Sequence, residues 1–310
     1  MGTTYSVKVV TGAQGFERSA QDEIHTAIRS ELGRIDALMS TWSPASELSR
    51  FNISSSLEPF ALSRETFEVF RWAIELSALT GGAVDVTVAP LVDAWGFGPA
   101  GPIARPPTGA EIARLLEATG MRRLELQPET SAIRKLHPDV RCDFSALAAG
   151  YAADRIAGQL TELGHADFLV DMGGELRARG RNDAGDAWRI AIDLPQERGR
   201  RIGRVVEISD LSIATSGDYR KYHEVGGERV GHIVDPRTGR PVSHRLASVT
   251  VIDELAVRAD ALSTALMVLG PREGLALATQ LDLAAYFLVR DGDGFEELAT
   301  ARFDAFRPER

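Results

Sequence analysis

Cysteine is nearly absent: Cys142 is the single one among 310 residues. That excludes an internal disulfide and any zinc or iron–sulfur site built from several thiolates, and it leaves Cys142 the role of a small buried hydrophobe. Long apolar runs are missing too. No stretch reaches the roughly 18 consecutive apolar residues of a membrane-spanning helix, so no transmembrane segment is expected. The start of the chain shows no basic-then-apolar leader, because Thr3 onward already reads as a strand. Positive charge is in deficit: Lys plus Arg is 35, Asp plus Glu is 44, and the net is −9. Without a basic block, no grip on nucleic acid through its phosphates is expected. The P-loop and zinc-protease templates, GxxxxGK[ST] and HExxH, do not occur either.

What is present reads as a globular chain. Hydrophobic residues make up 44% of it, enough for a large core in one long domain or two intertwined lobes. Thr4 to Val10 alternates like a strand with one buried face. Ile24, Ile28, Ile35 and Leu38 fall at helical spacing within Gln21 to Met39. Ser63 suits the N-cap of a helix through Leu79, stopped by Gly81-Gly82, and Thr108 with Glu111 fits a capping box for a helix to Thr119. Short strands are expected at 123–126, 132–136 and 140–144, then a helix rich in small residues from Ala146 to Leu163, closed by Gly164. More strands are expected at 168–171, 188–192, 204–208, 211–214, 229–234 and 284–289, with a helix near 273–280. Hairpin-like strands mixed with long helices predict an α+β fold of antiparallel or mixed sheets flanked by helices.

The stretch Ala247 to Gly270 draws attention first. Ser248 to Ile252 reads as a strand, and Ala256 to Leu269 as a helix stopped by Gly270-Pro271. This helix is nearly all apolar and should be buried on most sides. Yet it carries Asp260, Ser263 and Thr264, with Asp260 and Thr264 four apart on one face and Ser263 beside them. A buried carboxylate is costly unless something pairs with it. A hard divalent cation with oxygen ligands would do so; an arginine from elsewhere, with the hydroxyls bonded to their own helix, is the plainer alternative.

Other stretches could carry chemistry. Trp42, in the polar break Ser40 to Pro44, could cover the core or stack on a flat ligand. Asp143 to Tyr151 joins a strand to a helix through small residues, which suits either a ligand's close approach or tight packing. Asp171-Met172-Gly173-Gly174-Glu175 is a glycine turn flanked by acids, and Thr215-Ser216-Gly217 follows a strand with small polar groups. His232 could move a proton, and Arg237 could pair with Asp235 or with a phosphate.

In order and spacing, these stretches resemble the FAD:protein FMN transferases, the ApbE-type flavin transferases. Met1-Gly2-Thr3-Thr4-Tyr5 is similar to the family's opening block, and Ser40-Thr41-Trp42 with Ser46 to Asn52 to its second. Asp85 to Gly98, Asp143 to Tyr151, Asp171 to Gly180, Thr215 to Tyr219 with His232 to Gly239, and Ala259 to Ala265 match the rest, over nearly the whole chain. The resemblance implies a single domain over residues 1–310 that takes FAD, uses Mg2+, and moves FMN onto a Thr of a target flavoprotein as a phosphoester, releasing AMP. It implies metal ligation by the Asp260 carboxylate, the Thr264 hydroxyl and the Ala146 carbonyl, with Ser263 close by. It implies flavin and adenine contacts from Met1, Trp42, Ala83, Val84, Asp85, Asp143, Ile233 and Val234, with His232 as the proton carrier. It further implies acceptor domains in membrane redox complexes and a periplasmic or exported location with the leader upstream of this chain, a cytoplasmic one staying open. Ala149 stands where the family usually has a Lys that touches the dinucleotide, and a nearby Arg such as Arg155 could substitute. The rival readings are an FAD pyrophosphatase that hands FMN to water and a non-catalytic FAD-binding module.

Overall fold

The computed structural model describes residues 2–11, 15, 17–196, 201–219, 222–225 and 228–308. The chain opens with β1 (Tyr5–Val9), α1 (Arg18–Met39), the short α2 (Glu47–Ile53), β2 (Phe60–Ala61) and α3 (Arg64–Leu79). A tight 3-10 turn at Val86–Val88 runs into α4 (Ala89–Ala94), followed by α5 (Gly109–Glu117), β3 (Leu124–Gln127), β4 (Ala132–Lys135) and α6 (Ala148–Glu162). Next come β5 (Phe168–Met172), β6 (Glu175–Arg179), β7 (Trp188–Asp193), β8 (Ile202–Ile208), β9 (Ser212–Gly217), β10 (Tyr222–Val225) and β11 (Glu228–Gly231). The chain ends through β12 (Val234–Asp235), β13 (Arg240–Pro241), β14 (Leu246–Asp253), α7 (Ala256–Gln280), β15 (Ala284–Asp291), β16 (Gly294–Ala299) and α8 (Ala301–Asp304).

A seven-stranded sheet in the order β1-β5-β6-β9-β14-β15-β16 organises these elements. Each ladder among the described residues is antiparallel. The fold is thus the α+β arrangement that the mixed pattern predicts. The period-two alternation gives the sheet two apolar faces. Phe168, Val170, Val249, Val251 and Phe287 point to one side, where they share a core with α1, α3, α6 and α7. Leu169, Ile213, Ile252, Tyr286 and Leu288 point to the other, against Trp188, Ile190, Ile192 and Val206 of the β7–β8 hairpin. The sheet is therefore filled on both sides by residues from distant parts of the chain.

The caps read from the sequence are in place. Ser63 accepts from the Thr66 N–H at the start of α3, and Thr108 with Glu111 forms the reciprocal box at α5. At Gly270 (φ 78°) the helical run of α7 kinks, and the chain continues helical to Gln280. Pro271 has no N–H for the Met267 carbonyl four residues back. His244 Nε2–H donates to that carbonyl instead, at 2.8 Å.

Three expectations change. Residues 140–144 form no strand: Asn52 clamps Cys142 with its side chain, Nδ2 donating to Cys142 O at 2.8 Å and Oδ1 accepting from Cys142 N–H at 2.7 Å. A side-chain amide does there what a neighbouring strand would do. The strand expected at 229–234 is two, because β11 ends at Gly231 and β12 starts at Val234, with His232 and Ile233 between them. β6, β10, β16 and the seven-residue α2 are additions that the pattern did not call for.

Candidate active site

Asp260 lies one turn into α7, 6% exposed. Burial pushes its carboxyl well above the usual carboxylate range, Glu175 adds to that push, the Gly150 N–H opposes it, and Asp154 raises it further. Its Oδ2 accepts from Gly150 N–H in the first turn of α6 at 3.0 Å. Instead of an arginine, acids surround this carboxylate.

The approach of α6 to α7 is fixed by backbone. Helix α7 has no side-chain cap of its own, since Leu255 holds that position. Asp154 of α6 supplies one, accepting from Ala256 N–H at 3.0 Å and Val257 N–H at 2.9 Å. Burial raises the Asp154 carboxyl to about 6, with the two N–H bonds pulling it back. Gly150 makes the contact possible, for a Cβ there would meet Ala256 C at 2.6 Å and Val257 Cα at 2.8 Å. On the sheet side, Ser216 of β9 sets its Oγ 2.9 Å from Ser263 Oγ and 3.0 Å from Thr264 Oγ1. Ser263 Oγ also donates to Asp260 O at 2.9 Å.

Of these groups, Asp260, Thr264 and Ser216 form one wall of a cleft of about 1470 Å³. The same cleft is lined by Trp42, Ala83, Val84, Asp85, Asp143, Ala146, Ala149, His232, Ile233, Val234, Asp260 and Thr264. The fold therefore gathers candidates that lie more than two hundred residues apart. Ser263 sits behind this wall, 1% exposed, and Met1 lies outside the described residues. Trp42 is 68% exposed, too open for a core lid and suited to stacking at the cleft. His232 lies between β11 and β12, its ring edge-on to Phe97 at 6.3 Å.

Two lining acids are also internal fasteners. Asp85 Oδ1 accepts from Thr87 N–H at 2.8 Å and Oδ2 from Met121 N–H at 2.9 Å, which shapes the turn before α4. Asp143 Oδ1 accepts from Ser145 N–H at 2.7 Å, and Asp143 N–H donates to Val86 O at 2.7 Å. Neither arginine offered for phosphate is at hand. Arg237 forms a fork with Asp235, both bonds at 2.9 Å. Arg155 pairs with buried Glu31 of α1 at 2.8 Å, so it does not replace the side chain absent at Ala149.

The cleft is acidic. Asp36, Asp85, Asp143, Asp171, Glu175, Asp193 and Asp260 line it, against Lys8 and Arg189. An anionic ligand entering alone would be repelled. No three His, Cys, Asp or Glu side chains among the described residues cluster as a protein-only metal cage would. The donors here are one carboxylate, hydroxyls and carbonyls, the set that Mg2+ uses when ligand phosphates complete its shell. A buried carboxylate pressed by neighbouring acids fits such a cation. Glu175, Ser216 and Gly150 also belong to this site; in the sequence their signal is that each lies inside a motif block.

Comparison with known proteins bears on the site. A model of the ApbE family matches residues 1–287. The FAD:protein FMN transferase of Vibrio cholerae serotype O1 is 42% identical over 309 residues, covering 99% of this chain and 90% of the relative. That of Escherichia coli strain K12 is 37% identical over 308 residues, covering 99% and 87%. Among solved structures, the flavin transferase ApbE from V. cholerae superposes with a TM-score of 0.89 at 39% identity, covering 99% of this chain and 96% of that one. The apo flavinyl transferase ApbE of Pseudomonas stutzeri gives 0.88 at 40%, covering 99% and 94%.

Proposed function

This chain belongs to the ApbE family, and from that premise we propose that it moves the FMN half of FAD onto a threonine hydroxyl of an acceptor flavoprotein. The acceptor oxygen attacks the FMN phosphorus, the bond from that phosphorus to the AMP oxygen breaks, and AMP leaves with the electron pair. His232, at the cleft wall between two short strands, takes the hydroxyl proton. Trp42 stacks on a ring system of the dinucleotide. Mg2+ would be held by the Asp260 carboxylate, the Thr264 hydroxyl and the Ala146 carbonyl, and when bound it neutralises charge on the pyrophosphate oxygens. Such a reaction depends on positioning and charge neutralisation more than on covalent help from the protein.

The observation that carries this reading is Asp260: a buried carboxylate, flanked by hydroxyls and pressed by acids, at the wall of an acidic cleft. We take the acceptors to be domains of membrane redox complexes and the location to be periplasmic. Cell fractionation that finds the protein only in the cytoplasm would overturn that part. No helix among the described residues is long and apolar enough to cross a membrane.

The test is incubation with FAD, Mg2+ and an acceptor domain, followed by mass spectrometry of the acceptor. The expected outcome is one added FMN on a Thr with equimolar AMP. Free FMN and AMP without flavin on the acceptor would favour hydrolysis instead, and tight FAD binding without AMP a binding module. Asp260→Ala should lose the metal-dependent transfer; full activity in that variant would put the metal elsewhere.

A further inference from the structure

Strand β9 is the middle strand of the large sheet, but half of it is not covered as a middle strand should be. Ser212, Ile213 and Ala214 are buried, whereas Thr215 is exposed and Ser216 and Gly217 are half-buried. Its neighbour β14 is buried from Leu246 through Ile252. The difference lies on the β6 side. β6 pairs with β9 only at Leu176↔Ile213 and Arg177↔Ser212, and the chain then turns back through Gly173-Gly174. Beyond Ile213, that edge of β9 belongs to no ladder among the described residues.

The direction of the open groups follows from their neighbours. Asp218 N–H donates to Ala247 O at 3.2 Å on the β14 side, and Leu211 O accepts from Ala178 N–H at 2.8 Å on the β6 side. Backbone groups alternate along a strand. The N–H and C=O of Thr215 and Gly217 therefore point to the open side, into the cleft that both residues line. Ser216, between them, touches Ser263 and Thr264 at 2.9 and 3.0 Å. The open edge thus runs one residue from the hydroxyls beside Asp260.

We propose that this edge docks the acceptor: the stretch of acceptor chain next to the modified Thr lies extended along Thr215–Gly217 as an added strand, which carries its hydroxyl to the phosphate. This deepens the FMN-transfer reading and rests on it. Donors and acceptors at strand spacing are what an extended polypeptide pairs with. Outer strand β1 carries Lys8, the kind of charge that blunts an edge, whereas this inner one presents only Thr, Ser and Gly. There is room for a partner, since Thr215, Gly217 and Gly174 of the facing turn all line the same open cleft of about 1470 Å³.

The probe is a synthetic peptide cut from an acceptor domain already flavinylated in the preceding assay. With its Thr changed to Val, it is added to the enzyme with FAD and Mg2+, and amide exchange is followed by NMR. Thr215 and Gly217 amides should slow about 10-fold or more, while Ser216, bonded toward β14, should not change. No slowing at saturating peptide, or slowing on β1 instead, overturns the docking site. Single N-methyl groups placed along the reactive peptide should block flavinylation at alternate positions; a flat profile overturns it as well. A peptide left unmodified while its parent domain is flavinylated rules out docking by a local strand. Failure of the parent domain itself strikes the transfer reading.

Discussion

Gly150→Ala isolates the contact on which the site is built. A Cβ at Gly150 would lie 2.6 Å from Ala256 C and 2.8 Å from Val257 Cα, and would crowd Ala256 O as well. Each of these is backbone, so no side chain can rotate away. Ordinary contact begins at 3.4 Å, so relief from the nearest atom, Ala256 O, requires α6 and α7 to separate by about 1 Å at this point. Overpacking of this kind costs about 3 kcal/mol, offset by about 1 kcal/mol from replacing a helical Gly with Ala. A net loss of about 2 kcal/mol lowers the melting temperature of a chain this long by about 4 °C. Gly158 in the same helix provides the control, because a Cβ there meets nothing within 4 Å; Gly158→Ala should raise the melting temperature by about 2 °C. The separation also stretches the 3.0 Å bond from Gly150 N–H to Asp260 beyond hydrogen-bonding range and so disturbs the proposed metal site. Mg2+ demands near-ideal geometry, so its affinity in the presence of FAD should fall at least about 10-fold. Thermal melts and calorimetric Mg2+ titrations of both variants suffice. If Gly150→Ala melts at or above wild type and binds Mg2+ as well, the close approach of these helices does not build the site.

Three further outcomes are expected. Trp42→Ala should weaken FAD binding about 10-fold, read by flavin fluorescence, with Trp42→Phe recovering most of it; equal affinity in the alanine variant would show that the ring stacks on nothing. Ala149→Lys adds a cation to an acidic cleft and should tighten FAD binding several-fold at low salt, an effect that fades near molar salt; unchanged affinity would mean that position 149 does not face the phosphates. Lys135, 2% exposed, donates to Ser54 O at 2.6 Å, and burial pushes its ammonium down from 10.5 to about 8. Between those pH values the unfolded chain keeps a proton that the folded chain has released, so stability rises with pH. Urea unfolding at pH 7.5 and 9.5 should show wild type gaining about 2 kcal/mol relative to Lys135→Met, and parallel curves would contradict the shift.

Local chemistry was legible in the sequence where it depends on near neighbours. Ser63, Thr108 and Glu111 announce their helix starts, and Asp260 stands out because a carboxylate breaks an apolar face. Partners remote in sequence were not legible. Val140 to Phe144 alternates like a strand, yet Cys142 at its centre bonds the Asn52 side chain, 90 residues earlier. Arg155 looked available for phosphate, but Glu31, 124 residues away, holds it. β6 does alternate, Glu175 to Arg179 setting charged against apolar residues, but with only Leu176 and Ala178 apolar the run is too short to stand out beside the Gly173-Gly174 turn.

The acids of the cleft tie stability to substrate. Asp154 and Asp260 are each disfavoured as anions by burial, but they sit on the two helices whose contact forms the site. Asp154 lowers its cost by capping the start of α7 with two N–H groups. Among the described residues Asp260 has a single N–H donor, and so keeps coordination to spare. That asymmetry separates their roles: the satisfied acid holds the helices together, and the under-satisfied one is the ligand proposed for a cation. On the proposed reading, that cation would let a cleft with seven lining acids accept a pyrophosphate that it would otherwise repel. The proposed metal would then act on folding and on substrate binding through one electrostatic term, and it should bind tightly only when the dinucleotide is present to complete its shell.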